Sequence, residues 1–327
     1  MHAPQRLILW AVALIASAAT ADAQSDDVRG YPSRPIHIVV PASAGGANDV
    51  LARLVGQKMA ETFGQPVVVD NKPGAQTILG TEYVARATPN GYTLLAGPMA
   101  SMAVNPAVYA KLSYSPQRDF VPVSLVASYP LILAINKGAP IRTVRDLAAY
   151  AKANPSKVNA GGSSATFQLA TELFKQRTGA PIEYIPYKGS NDSVASVIAG
   201  ETLMAIVDAG PVAAQLKSDQ VRGLAVTAPT RMASFPDLPT MAEAGVGDMV
   251  VLSWSGIFAP AGTPAPIVAK LQDEIMRVVK LPDIRARLGA LELDPVGSTS
   301  DEFRRIIAGD IDRWTRVAKT ANITLEP

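Results

Sequence analysis

The 327-residue chain has no cysteine, only two histidines, and almost no excess of either charge, with 30 Lys and Arg against 28 Asp and Glu. Without cysteine no disulfide staples the fold, and no thiolate can act as nucleophile or metal ligand. His2 lies in the leading segment, and His37 stands alone in an apolar strand pattern. A lone strand histidine is more often structural than catalytic, which argues against a histidine-based triad or metal site. No cluster of Lys and Arg reads as a nucleic-acid footprint. No Gly/Ser tract, charge block or low-complexity run divides the chain.

What is present begins with an export signal. Arg6 supplies a positive start, Leu7 to Ala19 is apolar but too short to span a bilayer, and Ala21-Asp22-Ala23 offers small residues where signal peptidase reads. Residues 1–23 are therefore expected to be a signal peptide cleaved near Ala23, before Gln24, which places the mature protein in the periplasm. No cysteine follows the apolar run, so a lipid anchor is excluded. The remaining chain, about 300 residues, is long enough for two domains stabilised by core burial alone.

The mature chain alternates short apolar strands with amphipathic helices. Ile36 to Val40, Val67 to Val69 and Tyr92 to Ala96 read as strands, separated by a helix carrying Leu51, Leu54, Val55 and Met59 and another from Leu79 to Arg86. This βαβαβ order predicts a parallel sheet with helices on both faces. The pattern restarts with strands at Leu131 to Ile135, Val158 to Ala160, Ile182 to Ile185, Leu203 to Val207 and Gly223 to Thr227. Helices are expected from Thr143, with Asp146 completing a capping box, over Gln168 to Thr178 and over Ser190 to Ala199. The tail is helical over Ile267 to Val279 and Asp301 to Lys319, with Phe303, Ile306, Ile307, Ile311 and Trp314 on one face. Two units without a linker suggest that the chain crosses between them twice, near Val123 to Ser128 and near Val226 to Pro229. The expected division is residues 24–127 with 228–327 in one lobe and 128–227 in the other.

Two strand-to-helix loops carry the functional expectation. The first is Pro41-Ala42-Ser43-Ala44-Gly45-Gly46-Ala47-Asn48-Asp49 and the second Gly161-Gly162-Ser163-Ser164-Ala165-Thr166-Phe167-Gln168. In an open parallel sheet, ligands sit beside such loops. Glycines admit a ligand to the backbone, and a helix N-terminus presents free N–H groups that suit a carboxylate. Each loop also reads as a tight turn into a capped helix, with Asn48 or Asp49 as the first cap. Neither contains Arg or Lys, and neither is a Walker A or G-x-G-x-x-G sequence. Lys188 is the nearest candidate cation or else a solvated lysine. Ser101 and Asn105 line the cleft or bond within their loop. Phe167 stacks on a ligand or packs on its helix, and Asp208 receives an ammonium group or caps the next helix. Trp254 lies near the hinge or is simply buried. With no positioned nucleophile, base or metal set, catalysis is not expected, and neither is a cofactor.

Short stretches in order along the mature chain carry a resemblance. They include Tyr31-Pro32-Ser33-Arg34-Pro35-Ile36, Ala44-Gly45-Gly46 with Asp49, Asn71-Lys72-Pro73-Gly74-Ala75, Pro89-Asn90-Gly91-Tyr92-Thr93, Pro186-Tyr187-Lys188-Gly189 and Ala259-Pro260-Ala261-Gly262-Thr263-Pro264. The chain resembles the Bug-type extracytoplasmic binding component of tripartite tricarboxylate transporters. The resemblance implies an α/β type II periplasmic binding-protein fold, two doubly wound lobes joined by two crossover strands with a ligand cleft between. It implies that the two loops act as pincers on a carboxylate or amide of a small solute, partly through ordered water. It also implies delivery to a membrane permease with large and small subunits, or presentation to a sensor kinase, by a protein expected to be a monomer. The chain departs from the family around the cleft. Ala42 stands where Phe is common and Gln168 where His is, the second loop is a little shorter, and Gln76-Thr77 replaces glycines. Asp208-Ala209-Gly210 lacks the Asn that often follows the acid. No known ligand transfers across those differences.

Overall fold

The computed structural model describes residues 30–325. The expected signal peptide and its cleavage position lie outside the described residues. Among these residues, ten strands form one continuous hydrogen-bonded array that behaves as two half-sheets sharing a single strand.

The first half-sheet runs β2 (Val67–Asn71), β1 (Ile36–Val40), β3 (Thr93–Pro98), β9 (Leu252–Pro260), then the first part of β4 (Phe120–Asn136). The β2, β1 and β3 strands are parallel, joined through α1 (Ala47–Phe63) and α2 (Ile78–Ala85), whereas β9 is antiparallel to both β3 and β4. The second half-sheet runs from the far part of β4 through β7 (Met204–Asp208) and β5 (Asn159–Gly162) to β6 (Glu183–Pro186). There β5, β6 and β7 are parallel, and β8 (Val221–Val226) flanks β4 on its other side. Helices α3 (Val144–Ala153), α4 (Ala165–Thr178), α5 (Ser190–Ala199) and α6 (Ala209–Lys217) connect these strands. Helices α7 (Ala265–Val278) and α8 (Pro282–Gly289) lead through the two-residue β10 (Asp294–Pro295), paired to β4, into α9 (Ser300–Ala321).

Two differences from the sequence expectation matter. The strand expected at Leu131 to Ile135 is the end of a 17-residue β4 that begins at Phe120. Pro122 and Pro130 made it look broken. Proline cannot donate to a ladder, yet here Pro122 marks a register shift and Pro130 sits opposite Leu252, where the ladder changes partners. The second difference is β9, buried along nearly all its length and not expected from sequence. Ser253, Ser255 and Gly256 interrupt its apolar run, so the usual strand signal is absent.

The core divides by sheet face. Ile36, Ile38 and Val40 of β1 pack with Leu51, Val55 and Met59 of α1 and Leu271 and Ile275 of α7. Val39 faces the opposite side, into a larger cluster that continues through α9 to Leu131–Ile135, Leu169 and Phe174 of the second half. Within α9, Phe303, Ile307, Trp314 and Val317 are buried but Ile306 is exposed, outside the apolar stripe expected of it. Capping boxes fix the starts of α3 (Thr143 with Asp146) and α9 (Thr299 with Glu302). Each such cap contributes about 1 kcal/mol.

The chain passes between half-sheets at two places. One is Pro130–Leu131 within β4, where the partner changes from β9 to β7. Beyond Thr227 the chain turns back on β8, with Val226 N–H donating to Pro239 O, Met241 N–H to Val226 O and Val251 N–H to Thr227 O. It joins β9 only at Leu252.

Candidate functional site

Strand register sets the site. Pro98, the last residue of β3, lies opposite Ser255, which lies opposite Ala127 of β4. Asp208, the last residue of β7, lies opposite Leu131. The parallel strands of the two halves therefore end facing one another, four residues apart along β4, or about 13 Å. Carboxyl ends of parallel strands are where ligands sit in open α/β sheets. Counted outward from β4, the first half presents the ends of β3, β1 and β2, and the second the ends of β7, β5 and β6.

In the first loop, Ser43, Ala44, Gly45 and Gly46 are exposed, Ala47 is half-buried and Asn48 is buried. Gly45 has φ +86°, a left-handed turn that lets the loop double back. The N-cap of α1 is Gly46, without a side-chain cap. Both cap candidates are used otherwise. Asp49, 3% exposed, accepts from Gly45 N–H at 2.9 Å, from Asn71 at 2.9 Å and from Arg53 at 3.0 Å. Burial pushes its carboxyl pKa up, but those hydrogen bonds and the Arg53 charge outweigh burial and hold it below the usual carboxylate range. Asn48 donates to Ala96 O at 2.6 Å, and its buried Oδ1 has no partner.

The second loop follows the same plan. Ser163, Ser164 and Gln168 are half-buried, and Ala165, Thr166 and Phe167 are buried. The N-cap of α4 is Ser164, again without a side-chain cap, and the buried Thr166 Oγ1 is unpartnered. Phe167 sits in the hydrophobic core. Gly162 is required: a Cβ there would lie 2.6 Å from Tyr184 Oη, whose hydroxyl donates to Ser164 O at 3.1 Å. Two uncapped helix starts, each preceded by small residues, thus open at the strand ends of the two halves. A side-chain cap is also absent from α2, α5 and α6, and from α7 and α8, each of which carries proline in its first turn, which removes a free N–H; only α3 and α9 are side-chain capped.

The remaining expected residues divide between surface and interior. Lys188 is exposed on the loop after β6. Asp208 is the N-cap position of α6 but caps nothing with its side chain, which instead accepts from Ser190 Oγ at 3.2 Å. Burial raises its carboxyl pKa to about 6, partly offset by that hydroxyl. Ser101 and Asn105 are 0% and 1% exposed, in and just after a π-helical turn at Ala100–Val104. Ser101 Oγ donates to Pro98 O at 3.1 Å, and Asn105 Nδ2 to Gln76 O at 3.0 Å, leaving Asn105 Oδ1 unpartnered. Trp254 is buried and donates to Asp310 Oδ2 at 2.7 Å.

Sequence reasoning missed Ser255 and Tyr129. The Ser255 Oγ is buried without a partner beside Pro98. The Tyr129 phenol pKa is raised by burial and by the Asp208 charge. The alternation Ser253-Trp254-Ser255 beside the strand-ending Pro260 was the available signal. Of the five buried side-chain atoms without a partner among the described residues, four (on Asn48, Asn105, Thr166 and Ser255) belong to elements meeting at these strand ends. Buried polar atoms are nearly always satisfied, so such a concentration singles out these strand ends as the candidate site. No cluster of His, Cys, Asp or Glu suited to a metal occurs among the described residues.

Residues 51–323 match the family model described as the tripartite tricarboxylate transporter family receptor. The chain belongs to that family. It is 36% identical over 326 residues to protein BugT of Bordetella pertussis, covering 98% of this chain and 99% of that one. Its fold is similar to that of Rpa4515 of R. palustris with adipate (35% identity, TM-score 0.84, 91% of this chain and 100% of that one). It is also similar to MatC of Rhodopseudomonas palustris with bound malate (30% identity, TM-score 0.81, 88% and 99%). The receptor family is one of periplasmic substrate-binding proteins, not of enzymes, as the sequence resemblance implied. No helix among the described residues is long and apolar enough to cross a membrane.

Proposed function

We propose that this receptor captures a small organic solute bearing a carboxylate or amide in the cleft between its half-sheets and delivers it to the permease subunits of a tripartite tricarboxylate transporter. The observation that carries the reading is the pair of helix N-termini at Gly46 and Ser164, at facing strand ends, on loops without Arg or Lys and each with an unpartnered buried atom, Asn48 Oδ1 and Thr166 Oγ1. Free N–H groups and the helix dipole favour an anion by about 0.3–2 kcal/mol per helix end. Such a grip gains strength when both halves close on the ligand and exclude water. Ser43 to Asn48 and Ser163 to Gln168 form the grip in this reading, Lys188 and Asp208 flank it, and Ser101 and Asn105 support it from behind. The adipate and malate held by two relatives agree with a carboxylate. In this reading residues 24–127 with 228–327 form one lobe and 128–227 the other, the chain is a monomer, and export removes the segment before Gln24.

The test is a thermal-shift screen of dicarboxylates, aromatic acids, amino acids and neutral sugars, followed by calorimetric titration of the strongest hit. One class of acid should raise the melting temperature; at 100 times Kd the gain is about 2.7 kcal/mol. Gly46→Val should weaken that acid at least about a hundredfold while the ligand-free protein melts within a few degrees of the parent. Gly46 has φ −76° and ψ 167°, and a Cβ there meets only Ser43 O at 3.9 Å, so the fold tolerates a side chain. Stabilisation by sugars and by no acid would overturn the anion reading, and unchanged affinity in the variant would remove the first loop from the site.

A further inference from the structure

Three consecutive non-glycine residues hold positive φ: Ala75 at 43°, Gln76 at 50° and Thr77 at 77°. The remaining non-glycine residues of this kind among the described residues stand singly, at Asp219, Asp248, Glu292 and Asn322. L-residues enter this region against Cβ crowding, and a run of three is costly where glycine would adopt it freely.

The turn joins the end of β2 to α2, one strand outward from the first loop. It is locked in place from two sides. Asn105 donates to the Gln76 carbonyl at 3.0 Å, with the Thr77 hydroxyl 3.4 Å away, and the Tyr114 hydroxyl bonds Ser101 O at 2.7 Å behind it. Thr81 Oγ1 donates to Thr77 O at 2.8 Å. On the other side, Gly80 packs so closely that a Cβ would lie 2.6 Å from Lys72 O and 2.8 Å from Pro41 Cα, the start of the first loop. The Gln76 side chain itself is exposed and makes no hydrogen bond among the described residues. Such backbone conformations persist only where the surrounding structure over-determines them, and they cluster at ligand clamps and switch regions.

We propose that this turn is held left-handed to present the Gln76 amide to the solute, and that Gln76 is a specificity-determining residue reading its second polar group. The inference rests on the anion-cleft reading above. The turn follows the strand next to the one that leads into the Gly45–Gly46 grip, and neighbouring strands lie about 4.8 Å apart, on the scale of a short diacid. An uncharged amide donates and accepts, so it suits a second carboxylate or a carboxamide, and it adds nothing to a solute with one polar end.

The experiment compares the parent protein with Gln76→Gly and Gln76→Glu, each titrated with succinate, glutarate and adipate and with the matching monocarboxylates butyrate, valerate and hexanoate. Gln76→Gly should raise the ligand-free melting temperature by about 2–4 °C, because glycine releases the strain. It should weaken the best diacid about tenfold or more and leave its monocarboxylate within about twofold of the parent. Gln76→Glu keeps the backbone cost, so its melting temperature should not rise. Its added negative charge should weaken the diacid further than glycine does. A stabilised Gln76→Gly protein with parental affinity for the diacid overturns the inference, as does an equal loss for both acids of a pair. If no diacid or monocarboxylate binds the parent protein, the anion-cleft reading fails and this inference with it.

Discussion

At the scale of single residues, Asp208 makes the clearest demand on the protein. Burial raises its carboxyl pKa from 3.8 to about 6 in the folded state. The folded chain therefore keeps the Asp208 proton to higher pH than the unfolded chain does. Stability from this group is intact below about pH 4, falls as pH rises to about 6, and stays lower beyond. The loss is on the order of 2–3 kcal/mol. Asp208→Asn should flatten the melting temperature between pH 4 and pH 7 and leave the variant more stable than the parent above pH 6. A series of thermal melts in ligand-free buffers measures this, and parallel curves for the two proteins would show that Asp208 does not set the slope. Asp208 was legible in sequence because an acid after an apolar run marks a strand end. Its partners were not: Ser190 lies 18 residues away and Tyr129 on another strand, brought close only by the β4–β7 register.

Among the elements, the passage between half-sheets is governed by one hydroxyl. Thr227 Oγ1 accepts from Leu131 N–H at 2.8 Å and donates to Val251 O at 2.6 Å, in a fully buried position. It ties together the point where β4 changes partners and the point where the chain returns to β9. Thr227→Val is close to isosteric but leaves two buried backbone groups unpaired, at about 1–3 kcal/mol each. We expect a loss of about 2–4 kcal/mol in chemical denaturation, against much less for Thr227→Ser, which keeps the hydroxyl. Equal losses for both variants would mean that the methyl group, not the hydrogen bonds, matters. Helices with strong periodicity, such as α1, α3 and α9, were legible to within a few residues, because a helix buries one stripe set by local spacing. The β4 and β9 strands were not, because a central strand buried on both faces has no alternation, and its prolines and serines are accommodated only by what lies opposite.

For the molecule as a whole, the two halves are joined by β4 and by the Val251–Leu252 return. Side-chain contacts link them as well, with Gln176 Nε2 of α4 donating to Val317 O of α9 at 3.3 Å and Lys217 Nζ 3.6 Å from Glu292 Oε1. If the solute is gripped from both sides, saturation with the best-binding acid should reduce the radius of gyration measured by X-ray scattering. Gly46→Val should show no such change at the same concentration. Compaction of the variant equal to the parent's would mean that closure does not depend on the first loop.

The family, the α/β class and the two candidate loops were written in the sequence, because apolar periodicity, glycine placement and the absence of cysteine, histidine pairs and loop cations are local properties. Which strand ends face each other was decided by the tertiary structure alone, since it follows from the register of β4 against both β9 and β7. The left-handed turn at Ala75 to Thr77 belongs to the same category: no local preference of Ala-Gln-Thr favours it. It exists because buried Asn105, 29 positions along the chain from Gln76, and the close approach of Gly80 to Pro41 hold it there.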